Sequence, residues 1–387
     1  MARIVIVGAG IAGLSAADEL RKNISKKHEI IILEKEKEYT FQPSIPWILN
    51  TSRNPIRIKK AYKRSRLKGV VFENKEVMSI DFLAKTIRTD RGEITYDYLV
   101  LTPGAKYAPE RLSGFKECAS NLYDPIQAEE ISKKALDWGG KKITILVGAL
   151  PYKCPAAPYE SAMILQDYIF EKTGRKPRIE IITPENLPMP VAGEEIGSSV
   201  VSLLDSKGIK FFGNSKALSI DPWSRQIVFE NSKKKEFDVL LGIPPHVLPE
   251  FLQGSPIQGA NGWIEVDAKT LHTKLKNVYA GGDVVGIQIS NGRLLPKAGV
   301  FAREQGRIIA KNIMHSFSGE WITDEFRGFG ACFLETGGGK AGFASGKFVG
   351  PNVIVEMKKP SIFWHWAKMI FEKWWLYKYF KAGHSGA

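Results

Sequence analysis

The stretch "RIVIVGAGIAGLSAADEL", residues 3–20, constrains the fold of this chain more than any other. An apolar run meets a turn carrying Gly8, Gly10 and Gly13, and a helical pattern follows. In such a unit the first glycine makes the tight turn and the second lets bare backbone approach a pyrophosphate. The third brings the helix onto the strand. Glu34 lies 21 residues beyond Gly13, at the end of the next apolar strand, where a carboxylate can accept from ribose hydroxyls. The glycines alone are weak evidence. With the strand, the helix and the acid in place they read as a dinucleotide site.

The alternation returns later. "KKITILVGALPYKCPAAPYESAMILQDYI" reads as strand, turn and helix, and "RIEIITPE" and "GEEIGSSVVSLLDSKG" continue it. Strands alternating with helices imply parallel sheets with crossover connections. The parse is an α/β chain with two Rossmann-like domains of the FAD/NAD-linked reductase type, the second inserted in the first. Residues 1–107 and 245–324 make the first domain, 108–244 the second, and 325–387 a C-terminal segment expected to associate with a membrane. At 387 residues the chain is long enough for two such cores.

"VYAGGDVVG" decides which dinucleotide the first site suits. Gly281, Gly282 and Asp283 offer close backbone approach and a carboxylate, the second anchor that an extended FAD needs for its ribityl chain. The second loop is different. Gly148 survives, but Leu150 and Lys153 stand where the later glycines would be. A leucine there obstructs a pyrophosphate, and the strand ending "ITPE" offers no carboxylate placed for a ribose. The expectation is a retained fold with a closed nicotinamide-nucleotide site, so another route must reduce the flavin. Cys154 in "PYKCPAAPYE" is the candidate. Preceding Pro155, it would sit at or near a helix N-cap, where the helix terminus favours thiolate. Cys332, flanked by glycines and set beside Phe333, is a prospective partner that spacing alone does not decide.

Three cysteines are too few and too odd in number for a secreted disulfide scaffold. With a strand opening at residue 3, no secretory leader is expected, and no stretch approaches the roughly 18 apolar residues needed to span a bilayer. A net charge of +14 points to an anionic partner. Lysines are scattered except in the tail "SIFWHWAKMIFEKWWLYKYFKAG", where nine aromatics crowd residues 363–380 between Lys368, Lys373, Lys378 and Lys381. Rings and ammonium groups mixed in this way suit a bilayer interface rather than nucleic acid. Burial inside protein or in a dimer is the alternative. The charges do not share one helical face, so a break or two short helices is expected. Residues 361–381 would then hold the protein at the cytoplasmic face of the cell membrane as a peripheral protein, with the oligomeric state left open. None of the six histidines has metal-ligand spacing, so no metal is expected.

Together these residues resemble sulfide:quinone oxidoreductases and the flavoprotein subunit of flavocytochrome c sulfide dehydrogenase. The resemblance rests on the Gly8–Gly13 loop, "YTFQPSIPW", "YDYLVLTPGA", "CPAAPYE", "YAGGDV", "LLPKAGVFAREQ" and "CFLETG". It implies a redox pair of Cys154 and Cys332 beside FAD, attacked by hydrosulfide to give polysulfide or sulfur, with membrane quinone as acceptor. It also implies cofactor contacts from Gly8, Ala9, Gly10, Ile11, Ala12, Gly13, Glu34, Lys35, Val77, Gly104, Gly282, Asp283, Lys297 and Gly299. Lys297 would lie near the flavin pyrimidine edge, and the quinone-site candidates are Phe333 and Lys297. Glu160 either handles protons or caps a helical turn. Many members carry a further cysteine where "LYDPIQ" stands here, and Cys118 lies earlier, in a loop, so the FAD is expected to be non-covalent. The rivals are a type II NADH:quinone oxidoreductase, an NAD(P)H-dependent disulfide reductase, an exported cytochrome-linked sulfide dehydrogenase and a non-catalytic sulfur- or redox-sensing flavoprotein.

Overall fold

The opening motif folds as its pattern requires. Strand Arg3–Val7 is buried from Ile4 onward and feeds helix Ile11–Asn23 through the glycine turn. The structure, a computed structural model, describes residues 1–319 and 324–381. The first sheet has five parallel strands in the order Val278–Ala280, Tyr98–Leu101, Arg3–Val7, Glu29–Leu33 and Val71–Glu73. Helices cover such a sheet, so its central strands read as continuous apolar runs rather than alternating ones. The glycine-loop helix packs on helix Gly299–Ser318, and Gly306 permits the close approach, because a Cβ there would lie 2.2 Å from the Ala12 carbonyl oxygen.

The second sheet repeats the first. Its five parallel strands run Ser120–Asn121, Val239–Ile243, Lys142–Val147, Arg178–Ile182 and Lys210–Phe212. Each sheet is accompanied by a three-stranded antiparallel meander, spanning residues 77–95 in one half and 217–236 in the other. The meanders match down to their first turns. Asp81 accepts from the backbone N–H groups of Leu83 and Ala84, as Asp221 does from Trp223 and Ser224. Lys85 and Arg225 then take left-handed backbone, at φ 53° and 51°.

After the second of the long helices the chain makes an antiparallel sheet from Phe329–Gly337, Lys340–Lys347 and Ile354–Ser361. Its first strand packs on helix Ala157–Thr173 of the second half. The tail is one uninterrupted helix, Ile362–Tyr379, and not the broken pair its charge pattern suggested. Lys368 and Glu372 turn inward to partners in the body, so the charges do not need to share the solvent face. Residues 320–323, within the expected first domain, and 382–387, at the end of the tail, lie outside the described residues. No helix among the described residues is long and apolar enough to cross a membrane.

Candidate active site at the thiol pair

The glycine turn forms a cradle. Gly8 has φ +95°, and a Cβ on it would sit 2.4 Å from the Thr102 carbonyl oxygen. Gly13 is tighter still, with the Gly8 oxygen 2.0 Å from where its Cβ would be. At Gly10 a Cβ would meet nothing within 4 Å, so the bare backbone faces open space at the N-terminus of the helix. That is the geometry an anionic pyrophosphate fits, beside the free N–H groups of a helix end that begins at Ile11 and Ala12. Glu34 closes the back of the loop. Its carboxylate accepts from the N–H groups of Ala9 (2.8 Å) and Glu36 (3.0 Å), and burial raises its pKa despite those bonds. Lys35 reaches toward Glu76 at the surface, Val77 is buried where the first meander begins, and Gly104 stands open at φ +77°.

The residues expected to form the second anchor lie at the end of strand Val278–Ala280. Gly282, Asp283, Lys297 and Phe301 line one cleft. The Gly282 N–H is held by the Gln305 side chain at 2.7 Å, a contact that only the packing of helix Gly299–Ser318 creates. Gly299 opens that helix, and a Cβ on it would press on Ile11 of the cradle at 2.7 Å. Lys297 is buried. Its ammonium donates to the carbonyls of Asp283 (2.7 Å) and Val285 (3.0 Å) and sits 3.4 Å from the centre of the Trp263 ring. Burial with no direct carboxylate contact lowers its pKa to about 7.

The second loop is closed, but by other groups than its sequence suggested. Leu150 is 47% exposed, while Tyr152 fills the loop interior. Glu185, the last residue of "ITPE", is the acid that the sequence reading missed. It is buried and accepts from the hydroxyls of Tyr152 and Tyr159 and from Thr183. A carboxylate saturated in this way is not available to a ribose.

Cys154 is not at a helix N-cap. The helix starts at Ala157 with Ala156 as its cap, and Cys154 lies in the preceding turn with φ +51°. Its N–H donates to the Lys297 carbonyl (2.8 Å), and the Tyr123 hydroxyl holds the carbonyls of Lys153 and Cys154. This pairing ties the second loop to the first half of the molecule. Its thiol pKa is raised rather than lowered. Burial is the largest cause, then Glu160 and Cys332, with Lys368 opposing. Cys332 lies in strand Phe329–Gly337, close enough to Cys154 to act on it electrostatically, and its own thiol is pushed up to about 12, chiefly by burial. Both are free thiols here. Cys118, expected in a loop, instead ends the short helix Phe115–Cys118 and packs on a separate cluster in the second half.

A buried ionic cluster lies near enough to influence both thiols. Glu160 is 2% exposed and accepts from the Glu335 N–H (2.8 Å) and from the Lys368 ammonium (2.8 Å). Burial raises its pKa against the pull of Lys368, and Glu160 with Glu335 holds the Lys368 pKa above the usual value. His365 Nδ1 lies 2.9 Å from the Glu335 carboxylate, at Oε2. The tail therefore turns Lys368 and His365 into the body, onto Glu160 and Glu335, where its sequence had placed its lysines on a lipid surface; Lys373 stays exposed. Lys378 also turns in, pairing with Asp18 at 2.9 Å. Beside Cys332, Phe333 begins a run of rings through Phe343 (5.2 Å), stacked Trp364 (4.3 Å) and Phe363, which is 67% exposed. Among the described residues no cluster of His, Cys, Asp or Glu could hold a metal ion.

Known proteins resemble this chain in sequence and fold to differing extents. The mitochondrial sulfide:quinone oxidoreductase of Mus musculus is 24% identical over 351 residues, covering 86% of this chain and 75% of its own. A type II NADH:quinone oxidoreductase of Staphylococcus aureus is 25% identical over 354 residues, covering 84% of each chain. The crystal structure of the sulfide:quinone oxidoreductase from Aquifex aeolicus superposes with a TM-score of 0.85 at 23% identity, over 98% of this chain and 91% of that one, and shows a common fold. The profile for pyridine nucleotide-disulphide oxidoreductases matches residues 2–306, the span that holds the glycine cradle, the second sheet and the Asp283 anchor. This chain therefore belongs to the pyridine nucleotide-disulphide oxidoreductase family, with its second nucleotide loop given over to a tyrosine–glutamate packing and a cysteine.

Proposed function

We propose that this protein is an FAD-dependent sulfide:quinone oxidoreductase. The observation that supports the reading is that Cys154 and Cys332 are each influenced by the same buried Glu160–Lys368 pair, beside a second nucleotide loop in which Tyr152 is buried. A type II NADH:quinone oxidoreductase needs that loop open, and the Tyr152–Glu185–Tyr159 packing argues against it. The domain division is taken as residues 1–107 with 245–324 for the cofactor half and 108–244 for the rebuilt half.

The cradle fits FAD. Gly8 to Gly13 and Glu34 would hold the pyrophosphate and ribose end, with Lys35, Val77 and Gly104 alongside. Gly282, Asp283, Lys297 and Gly299 would hold the ribityl and ring end, without a covalent bond. When bound, the flavin supplies a two-electron relay between thiol and quinone. In the oxidised protein Cys154 and Cys332 share a disulfide. Hydrosulfide attacks it, so the S–S bond breaks, one cysteine becomes a persulfide and the other a thiolate; the sulfide sulfur is oxidised and the disulfide reduced. Lys368 would stabilise that thiolate, and Glu160, which is buried with it, would take or return the proton. Each repetition, with two electrons drawn off to quinone as the oxidant, adds one sulfur and lengthens the chain to polysulfide.

Quinone would enter along the rings from Phe363 to Phe333, which run from the protein surface to the thiol strand. The tail supports a peripheral attachment to the bilayer, since its outward face is mostly apolar and aromatic, with Lys368, Glu372 and Lys378 paired to the body and Lys373 left exposed. The test is an anaerobic titration followed in the visible flavin band. Sulfide bleaches it, a quinone analogue restores it, and NADH does neither; bleaching by NADH alone would overturn the reading. Cys154→Ser and Cys332→Ser each abolish the sulfide response with FAD still bound.

A further inference from the structure

We infer that residues 53–68 form a second, electrostatic half of the membrane-docking surface, one that selects anionic lipid. This rests on the membrane reading of the tail and adds to it the lipid class and the residues that recognise it. The segment "RNPIRIKKAYKRSRLK" carries eight basic residues and no acidic one in 16 positions. It runs along the C-terminal turns of the tail helix. Arg53 donates to Glu372 (3.0 Å), the Arg66 guanidinium lies 4.3 Å from the centre of the Tyr377 ring, and Ser65 bridges to Phe380. The Arg66 N–H and the Lys381 N–H complete the seam, on the carbonyls of Tyr379 and Arg64.

The two elements present complementary surfaces side by side. The outward face of the helix carries Ile362, Phe363, Trp366, Ile370, Trp374 and Tyr377, each at least 40% exposed and spaced at helical intervals, with exposed Lys373 as the single cation of that stripe. The adjoining ridge has Arg57, Lys63, Arg66 and Lys68 exposed, with Ile56 55% exposed among them. Arg57, Lys59, Lys63 and Lys68 make no ion pair among the described residues. Rings set the depth of an interfacial helix but do not read lipid charge. An acid-free ridge does, because each cation near an anionic leaflet strengthens binding about fivefold. A second copy of the chain is the poorer occupant. A two-fold contact through this face would set the same basic ridge against itself.

The experiment is flotation of the full-length, FAD-loaded protein with vesicles of phosphatidylcholine alone or with one third phosphatidylglycerol, at low and high salt. The expected result is capture by the anionic vesicles at far lower lipid concentration, with the preference collapsing as salt screens it. The variant Arg57→Gln/Lys59→Gln/Lys63→Gln/Lys68→Gln should bind anionic vesicles a hundredfold or more weaker, bind neutral ones as before, and bleach with sulfide like the parent. Equal binding of the parent to both vesicles overturns the inference, as does a variant that keeps the preference. A dimer that hides the Trp366 face and excludes vesicles overturns it too. Failure of the parent to float with either composition sinks the membrane reading itself.

Discussion

Lys368 is where the residue scale matters most. In the sequence it is one lysine among aromatics, but in the structure it is the cation of a buried pair with Glu160 and lowers the pKa of both thiols against the pull of burial. Removing one partner of such a pair leaves the other charge uncompensated. Lys368→Met is expected to cost about 3–5 kcal/mol in urea unfolding, with much of it recovered by Lys368→Met/Glu160→Gln. The thiols add a pH dependence of known sign. Folding raises the Cys332 pKa from 9.0 to about 12, so its stabilising contribution is complete below pH 9 and falls as pH climbs through that window. Unfolding of the reduced protein between those limits should therefore show a steeper loss than in Cys332→Ser. The glycines separate folding from binding. Gly13→Ala meets backbone at 2.0 Å and should fold poorly, whereas Gly10→Ala points into open space and should fold normally yet lose flavin, read by absorbance after gel filtration.

At the scale of elements, the tail helix has two faces with different jobs. Trp375 and Tyr379 are fully buried against the body, while Phe363 and Trp366 are exposed. Trp375→Ala should cost about 3–5 kcal/mol of stability, in the range for large-to-small changes in a core. Phe363→Ser/Trp366→Ser should leave unfolding unchanged and weaken vesicle flotation. The second nucleotide loop is likewise an element whose character its motif half revealed. Lost glycines announced that the loop was altered, but not that Glu185 would be captured by two tyrosine hydroxyls. Tyr159→Phe leaves that carboxylate short of a donor and should cost about 1–3 kcal/mol, without conferring any bleaching by NADH.

Across the whole molecule, the two halves repeat one another and the C-terminal segment crosses both. Ending the chain at Ser361 would remove the outward apolar face and also strip Lys368 from Glu160. Sulfide-driven bleaching should therefore fall even in detergent, where a tail serving only as an anchor would not be missed. The sequence by itself determined the parallel sheets, the glycine cradle with Glu34 and the Gly282–Asp283 anchor, because each is written within one strand–turn–helix unit and follows from local sterics and periodicity. It also pointed to the closed loop and to both cysteines. Only the tertiary structure decided that Cys154 sits in a left-handed turn and not at a cap, that Lys368 faces inward, and that residues 53–68 flank the tail. Those outcomes depend on contacts between distant segments: Glu160 with Glu335 across 175 residues, Lys368 with Glu160 across 208, and Glu372 with Arg53 across 319. No periodicity in a chain records which of its remote surfaces will be buried together.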